Sequence, residues 1–371
     1  MKKVIFGTVL SLGLIGCGGG SPSNSGTNTD NDVLVPEIIT AKYKACIPLK
    51  DSPSTFNCVE TCEAEELSVG TSDSLSSCES FAQKWLDDFN HEDEPRTALQ
   101  QEGLDWLNKI RRGAGLPIFK HNAKLETATA SHENYLGDTD ETYGVSLAHK
   151  EDNVNYFSAY YTGVSPKDRA KYAGYEDYYV AEVISYIEGD VVDSIDNLML
   201  AIYHRQGILL PTLDEVGLGG VENNYIAKKQ PHLLASKETR RDFLRAVSKK
   251  LIIYPYDNQK KVQTTFVIED PHPLPGIAYG TGNPISVTFN DYYVSEAEVS
   301  SFKLFYDANN TEITNVLLMN KLNDPNNKFT DLDFALFPLD ILEKSTAYRV
   351  EIVYSINKGN SIKKEWVFET R

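Results

Sequence analysis

The sequence predicts an α+β protein in which a helix-rich region precedes an all-β region. Residues 96–268 carry amphipathic helical stripes mixed with strand-like segments. Residues 269–371 consist of short β-prone segments separated by Asn, Asp, Gly and Ser. Since the chain has 371 residues, which exceeds one ordinary domain, we expect several structural units.

The N-terminus predicts an export signal with a lipid-modified cysteine. Lysines precede an apolar run from Val4 to Ile15 that is too short for a membrane-spanning helix. The next residues, "LIGC", resemble the lipobox of bacterial lipoproteins, in which the cysteine receives acyl chains such as palmitate. The resemblance implies a signal peptide at residues 1–16 and lipidation of Cys17, with a plain secretory signal as the alternative.

Residues 17–35 predict a flexible tether, because Gly, Ser, Asn and Asp cannot bury a core. Gly18 stands where an aspartate would resemble the inner-membrane retention signal of Gram-negative lipoproteins. We therefore expect an exported protein anchored by lipid to a membrane, at the outer membrane or cell surface.

Residues 36–95 predict a small disulfide-bearing region. In an exported chain, four clustered cysteines favour two disulfides, and three pairings are open. They are Cys46, Cys58, Cys62 and Cys78. The alternative is a four-cysteine zinc site, although only Cys58 and Cys62 have ligand-like spacing. A helix follows in "SCESFAQKWLDDF", with Phe81, Trp85 and Phe89 spaced four residues apart.

Two amphipathic helices open residues 96–268. The first stripe comprises Leu99, Leu104, Leu107 and Ile110, and it ends at Gly113, Gly115 and Pro117. Asn122 is the predicted N-cap of the second helix, whose buried stripe includes His132. We interpret His132 as a core histidine with satisfied hydrogen bonds rather than as a ligand.

Two further helices have end signals in the sequence. The first is predicted from Ser165 as N-cap, Pro166 at the first position, Asp168 at the third and Gly174 as C-cap. The segment "YYVAEVISYI" is β-prone. Asp190 is then predicted to cap a helix with Val191 and Ile202 on its apolar face, and His204 lies where that helix ends.

The rest of the chain predicts strands. Residues 216–268 include "KKLIIYPY" and "VQTTFVIED", and the proline-rich "DPHPLPG" at 270–276 predicts a linker. Beyond it, "PISVTFN", "SSFKLFYD", "TNVLLMN", "AYRVEIVYSI" and "KKEWVFET" predict a β-sandwich of immunoglobulin-like size. The resulting domain boundaries are 36–95, 96–268 and 269–371.

The net charge limits the classes of partner that we expect. The formal net charge is −17, which repels phosphate backbones, so we expect no nucleic-acid partner. Cations and basic ligands are attracted instead.

Five segments, in order over residues 98–222, resemble the CAP superfamily of SCP-like extracellular proteins. They are "LDWLNKIRRGAGLPIFKHNAKLETATASHENYL", "AHKEDN", "SPKDRAKYAGY", "VAEV" and "YHRQGILLPTLDEVGLGG". The resemblance implies a CAP-type α-β-α sandwich around a cleft, followed here by the C-terminal immunoglobulin-like β-sandwich.

The resemblance also implies a cleft lined by His149, Glu182 and His204. Imidazole nitrogens and a carboxylate suit a divalent cation such as zinc, with His149 and His204 as candidate ligands, or general acid–base work. The sequence departs from the family where animal and plant members carry a second glutamate, because Ala201 stands there. Val183 also replaces the asparagine after the strand glutamate.

We expect a surface-anchored lipoprotein with a CAP domain that acts by binding a lipid, a peptide or a cation in this cleft. No catalytic nucleophile motif is present, so the sequence favours a non-enzymatic role and leaves activity open. The alternatives are a metal-dependent hydrolase using His149, Glu182 and His204, and a purely structural or adhesive surface protein.

Overall fold

The computed structural model describes residues 42–48, 54–63, 66–89, 97–176, 179–220, 228–266, 269–277 and 280–371. The predicted signal peptide, Cys17 and the tether lie outside the described residues, so those predictions stay predictions. Among the described residues, no helix is both long and apolar enough to cross a membrane.

The N-terminal region is a three-stranded antiparallel sheet with one helix, held by two disulfides. Its elements are β1 (Tyr43–Pro48), β2 (Asn57–Val59), β3 (Glu66–Ser72) and α1 (Leu75–Phe89), with strand order β2-β1-β3. Cys46 bonds to Cys62, and Cys58 on β2 bonds to Cys78 on α1. The prediction of two disulfides is confirmed, and the four-cysteine zinc alternative is wrong because the thiols are consumed in pairs.

The middle region forms a helix–sheet–helix sandwich. Its elements are α2 (Ala98–Ala114), β4 (Lys120–His121), α3 (Ala123–Tyr143), α4 (Pro166–Tyr172), β5 (Tyr179–Ile187), α5 (Val191–Leu200), α6 (Ile202–Ile208), β6 (Glu215–Leu218), β7 (Lys228–Ser236), a short 3-10 helix (Glu238–Arg240) and α7 (Arg241–Val247). The strand order β4-β6-β7-β5 places β5 at an edge.

Neighbouring residues of β7 show the two helical layers. Leu234 belongs to the core that α2 and α5 cover, whereas Leu233 belongs to the core formed with α3 and α4. Since successive side chains of a strand point to opposite faces, helices cover both faces of the sheet. The predicted α-β-α sandwich is confirmed.

Local sequence signals determine most helix starts. Asn122 accepts hydrogen bonds from the first amides of α3, and Ser165 and Asp190 each form a capping box with an aspartate three residues later. Helix α4 is shorter than predicted, because its C-cap is Ala173 and Gly174 follows with φ 85°.

The helix after Asp190 is also shorter than predicted. It ends at Leu200 because Ala201 is extended, with ψ 115°. A new helix, α6, then begins at Ile202. His204 therefore lies within a second helix instead of following the end of the first.

The C-terminal region is all β, as predicted. Its strands are β8 (Leu251–Tyr254), β9 (Gln259–Val262), β10 (Thr265–Phe266), β11 (Thr281–Gly282), β12 (Ile285–Phe289), β13 (Ala297–Tyr306), β14 (Thr311–Ile313), β15 (Val316–Asn320), β16 (Asp333–Pro338), β17 (Ala347–Ile356) and β18 (Ile362–Thr370). Sheets of order β15-β16-β12-β8 and β14-β13-β17-β18-β9 share one core, in which Val287 and Leu336 of the first meet Leu304 and Ile352 of the second.

Strand pairing in this region begins before residue 269. Strand β8 pairs with β12, and β9 pairs with β18. Both strands come from the segment that the sequence assigned to residues 96–268. The predicted domain boundary at residue 269 stays a prediction. Each of the two β-sandwich sheets nevertheless contains one strand, β8 or β9, from the segment before that boundary.

Candidate functional site

Strand β5 places Glu182 on the sheet face that α3 and α4 cover. Its register partner on β7 is Leu233, whose side chain belongs to the α3 and α4 core. The Glu182 carboxylate is fully buried, and its Oε2 lies 2.7 Å from Nη2 of Arg169 on α4. A buried carboxylate needs such a partner, because an unpaired charge in the interior is costly.

His149 links the buried Glu182 carboxylate to the protein surface. It lies in the loop between α3 and α4, with Nδ1 3.0 Å from Oε1 of Glu182. Its side chain is 46% exposed. Nδ1–H donates to the carboxylate, so in the neutral ring Nε2 keeps its lone pair, and no described residue binds Nε2.

A second buried layer supports the pair. His132 on α3 lies with Nδ1 2.9 Å from Glu151 Oε1 and with Nε2 2.9 Å from the carbonyl of Ala148. Glu151 Oε2 accepts hydrogen bonds from the amides of Thr162 and Gly163. The interpretation of His132 as a satisfied core histidine is confirmed, and its contacts hold the chain on both sides of His149.

The surroundings keep Glu182 ionised. Burial on its own raises the pKa of this carboxyl, but the hydrogen bond from His149 and the charges of Arg169 and His132 outweigh burial and lower the pKa below its usual value. Glu182 is therefore an anion near neutral pH. Its hydrogen bond fixes the orientation of the His149 ring.

His204 pairs with a different carboxylate. Its Nδ1 lies 2.7 Å from Oε1 of Glu269, and the imidazole is 17% exposed. Helix α6 packs on the other face of β5, because a Cβ at Gly207 would lie 3.2 Å from Val183, which points away from the Glu182 face. His149 therefore contacts β5 from one face, and the helix that carries His204 packs on the other.

The structure thus joins His149 to Glu182 and joins His204 to Glu269. Within the described ranges, no group of three or more His, Cys, Asp or Glu side chains is arranged to hold a metal ion. The cleft roles predicted for His149, Glu182 and His204 stay predictions, now with a defined geometry for each pair.

The family model for CAP, the cysteine-rich secretory protein family, matches residues 104–228. Residues 104–228 are a CAP domain. This match confirms the resemblance that the sequence motifs indicated, and the domain includes His149, Glu182 and His204. Glu269 lies outside it.

Two solved structures are similar to this chain at low TM-scores. An outer surface protein from Borrelia burgdorferi is 10% identical, with 40% of this chain and 98% of that chain covered and a TM-score of 0.31. An extracellular protein containing a SCP domain from Bacillus anthracis str. Ames is 18% identical, with 39% and 45% covered and a TM-score of 0.30. The CAP assignment rests on the family model. Comparison with curated proteins finds no match.

Three residues in or around the two pairs were not assigned a role from the sequence. Glu151 and Arg169 lie within the quoted CAP-like segments, two residues after His149 and in the middle of α4, so their motifs could have drawn attention to them. Glu269 contacts His204 across 65 positions of sequence. No local pattern could have found that contact.

The CAP domain also buries a serine beside a histidine. Ser194 Oγ lies 2.8 Å from Nε2 of His232, and the other ring nitrogen accepts a hydrogen bond from the amide of Gly219. Nδ1 is thus the acceptor, so the neutral ring carries its proton on Nε2 and donates to the serine. A general base must accept the serine proton, so this pair is oriented for structure rather than for nucleophilic catalysis.

Proposed function

We propose that the protein is exported, anchored at the outer membrane or cell surface by lipid on Cys17, and acts there by binding a ligand at His149. The observation that carries the binding role is the exposed imidazole held by the fully buried Glu182. Export is supported by the signal-like N-terminus and by the two disulfides, which form in oxidising compartments.

The electrostatics favour binding over catalysis. Glu182 has both oxygens engaged, by His149 and by Arg169, and its pKa lies below the usual range. A carboxylate with a lowered pKa is a weak general base near neutral pH. It is well suited to orienting the imidazole, which then presents Nε2 to a ligand.

The surroundings of His149 indicate the ligand chemistry. Nε2 of the neutral ring accepts hydrogen bonds, so it suits a hydroxyl or ammonium donor. The backbone of Val164 lies close to that of His149, because Arg169 Nη1 contacts the carbonyls of both residues, and Val164 is 49% exposed. The formal charge of −17 disfavours anions. We therefore propose a ligand with a cationic or hydroxylic head and an apolar part, as in amino lipids and apolar peptides.

Zinc fits this arrangement poorly. Protein zinc sites use three or four ligands, whereas His149 offers one outward nitrogen and His204 pairs separately with Glu269. The prediction of zinc binding therefore has no support from the donor geometry of the described residues.

The test compares two probes with one chain length and opposite head groups, octylamine and octanoate, on the purified mature protein by NMR titration. We expect octylamine to shift resonances around His149 while octanoate does not, and His149→Ala to weaken octylamine binding at least about tenfold, or about 1.4 kcal/mol. The control is Tyr292→Ala, which removes an aromatic ring from the C-terminal region. Tyr292 is 42% exposed, which is similar to His149.

Equal binding of octylamine by His149→Ala and wild type would refute the binding site. Chelator-sensitive ester hydrolysis that disappears in His149→Ala would instead support the hydrolase alternative.

A further inference from the structure

We propose that Glu269, which lies outside the CAP domain, is a positioning residue for His204 and holds its imidazole with Nε2 open to a ligand. This inference rests on the binding role proposed above and extends it to a second imidazole. The CAP domain is then completed by a carboxylate from the segment that leads into the β-sandwich.

The first support is the geometry of the imidazole. Nδ1 of His204 lies 2.7 Å from Glu269 Oε1, so its N–H donates to the carboxylate. In the neutral ring this leaves the Nε2 lone pair for a ligand, which is the arrangement that Glu182 imposes on His149. The two histidines therefore offer the same kind of atom.

The second support is the backbone around His204. The N-cap of α6 is Ala201, whose side chain forms no capping hydrogen bond. Glu269 Oε1 instead accepts from the amides of Tyr203 at 2.8 Å and His204 at 2.9 Å. One oxygen atom thus fixes both the backbone and the ring of His204.

The third support is the energetic cost of burying the Glu269 carboxylate. The Glu269 side chain is fully buried, and among the described residues its Oε2 has no hydrogen-bond partner. The positive charge of Arg205 lies near enough to interact with it. A carboxylate that only capped a helix could do so at the surface at lower cost, because a buried oxygen without a partner is destabilising.

The experiment reads the tautomer of His204 directly, without any ligand. Long-range ¹H–¹⁵N spectra of the mature protein at about pH 8, where an ordinary imidazole is neutral, distinguish an Nδ1–H ring from an Nε2–H ring. His204→Gln identifies the signal. We expect Nδ1–H in the wild type and in Glu269→Gln, whose amide oxygen still accepts, and a shift toward Nε2–H in Glu269→Ala.

The matched control is Glu298→Gln, which removes the same charge from an exposed position on β13 and should leave the His204 signal unchanged. A wild-type His204 in the Nε2–H form overturns the inference, even if Glu269→Ala does not fold. An Nδ1–H ring that persists in a folded Glu269→Ala, with only a lower melting temperature, also overturns it by reducing Glu269 to a structural cap. Because no ligand is present, neither result depends on the binding role of His149.

Discussion

His149 and His204 each donate from Nδ1 to a buried glutamate, but the two carboxylates are stabilised in different ways. Glu182 faces the guanidinium of Arg169 at 2.7 Å, and its imidazole is 46% exposed. Glu269 accepts from two amides of α6, and its imidazole is 17% exposed. The first pair is neutralised by a full opposite charge, whereas the second depends on backbone dipoles and a more distant arginine.

The difference indicates where each site is fragile. The first pair lies wholly within the CAP domain and is part of a charge network with His132 and Glu151. The second pair joins the CAP domain to the segment after it, and Arg205 strengthens the same junction through Asn283 and the carbonyl of Pro284. Removing the positive charge of Arg169 should therefore destabilise the first pair most, whereas removing the acceptor oxygen of Glu269 should destabilise the second.

The largest effect is expected for Arg169→Met. This change leaves the carboxylates of Glu182 and Glu151 buried without their cation, since both lie within 4 Å of the guanidinium, at 2.7 and 3.8 Å. Breaking a buried ion pair on one side costs about 3–5 kcal/mol, so we expect the free energy of unfolding to fall by that amount. Urea denaturation at neutral pH measures it.

The control for this prediction is Arg245→Met. Arg245 also pairs with two carboxylates, those of Asp242 and Asp291, but these are 81% and 57% exposed. Solvent-screened pairs of this kind contribute at most about 1 kcal/mol. Equal losses in the two variants would contradict the view that Arg169 neutralises a buried charge.

An intermediate effect is expected from His232, a buried histidine that pairs with Ser194 and the amide of Gly219 rather than with a carboxylate. Burial lowers its pKa to about 4, against 6.5 for an ordinary histidine. Between these values the unfolded chain binds more protons than the folded chain, so stability falls as the pH falls through this window, by about 3 kcal/mol in total.

His232→Gln should remove this slope, because the amide can donate to Ser194 but does not titrate. Urea unfolding at several pH values between 4 and 7 tests it, with the wild type losing more stability on acidification than the variant. The difference between the two proteins isolates His232 from Asp214, whose pKa burial raises to about 7 with the opposite slope. Parallel curves would show that His232 is not desolvated as the structure describes.

The contrast between the pairs also explains what the sequence could predict. The caps at Asn122, Ser165 and Asp190 depend on contacts within three residues, so local rules found them. His149 and Glu182 were found through family motifs, which encode a contact across 33 positions that no helical or strand periodicity reports.

The remaining features were beyond reach because they depend on tertiary placement. The disulfide pairing follows from how β2 lies against α1, and three pairings satisfied the sequence equally. The break at Ala201 creates α6 without a side-chain cap, and the missing acceptor comes from Glu269, 66 positions after Tyr203. Since loop geometry decides such a contact, periodicity and composition carry no signal for it.

The smallest effect is expected for Ala201→Ser, and it tests whether Glu269 supplies the cap of α6. A serine hydroxyl at an N-cap normally adds about 1 kcal/mol. In the wild type the amides of Tyr203 and His204 are already bound by Glu269, so the new hydroxyl should change stability by less than about 0.5 kcal/mol.

In a Glu269→Ala background those amides are open, and the same substitution should restore about 1 kcal/mol. A double-mutant cycle from urea denaturation measures this coupling, and equal stabilisation in both backgrounds would mean that α6 is not capped by Glu269.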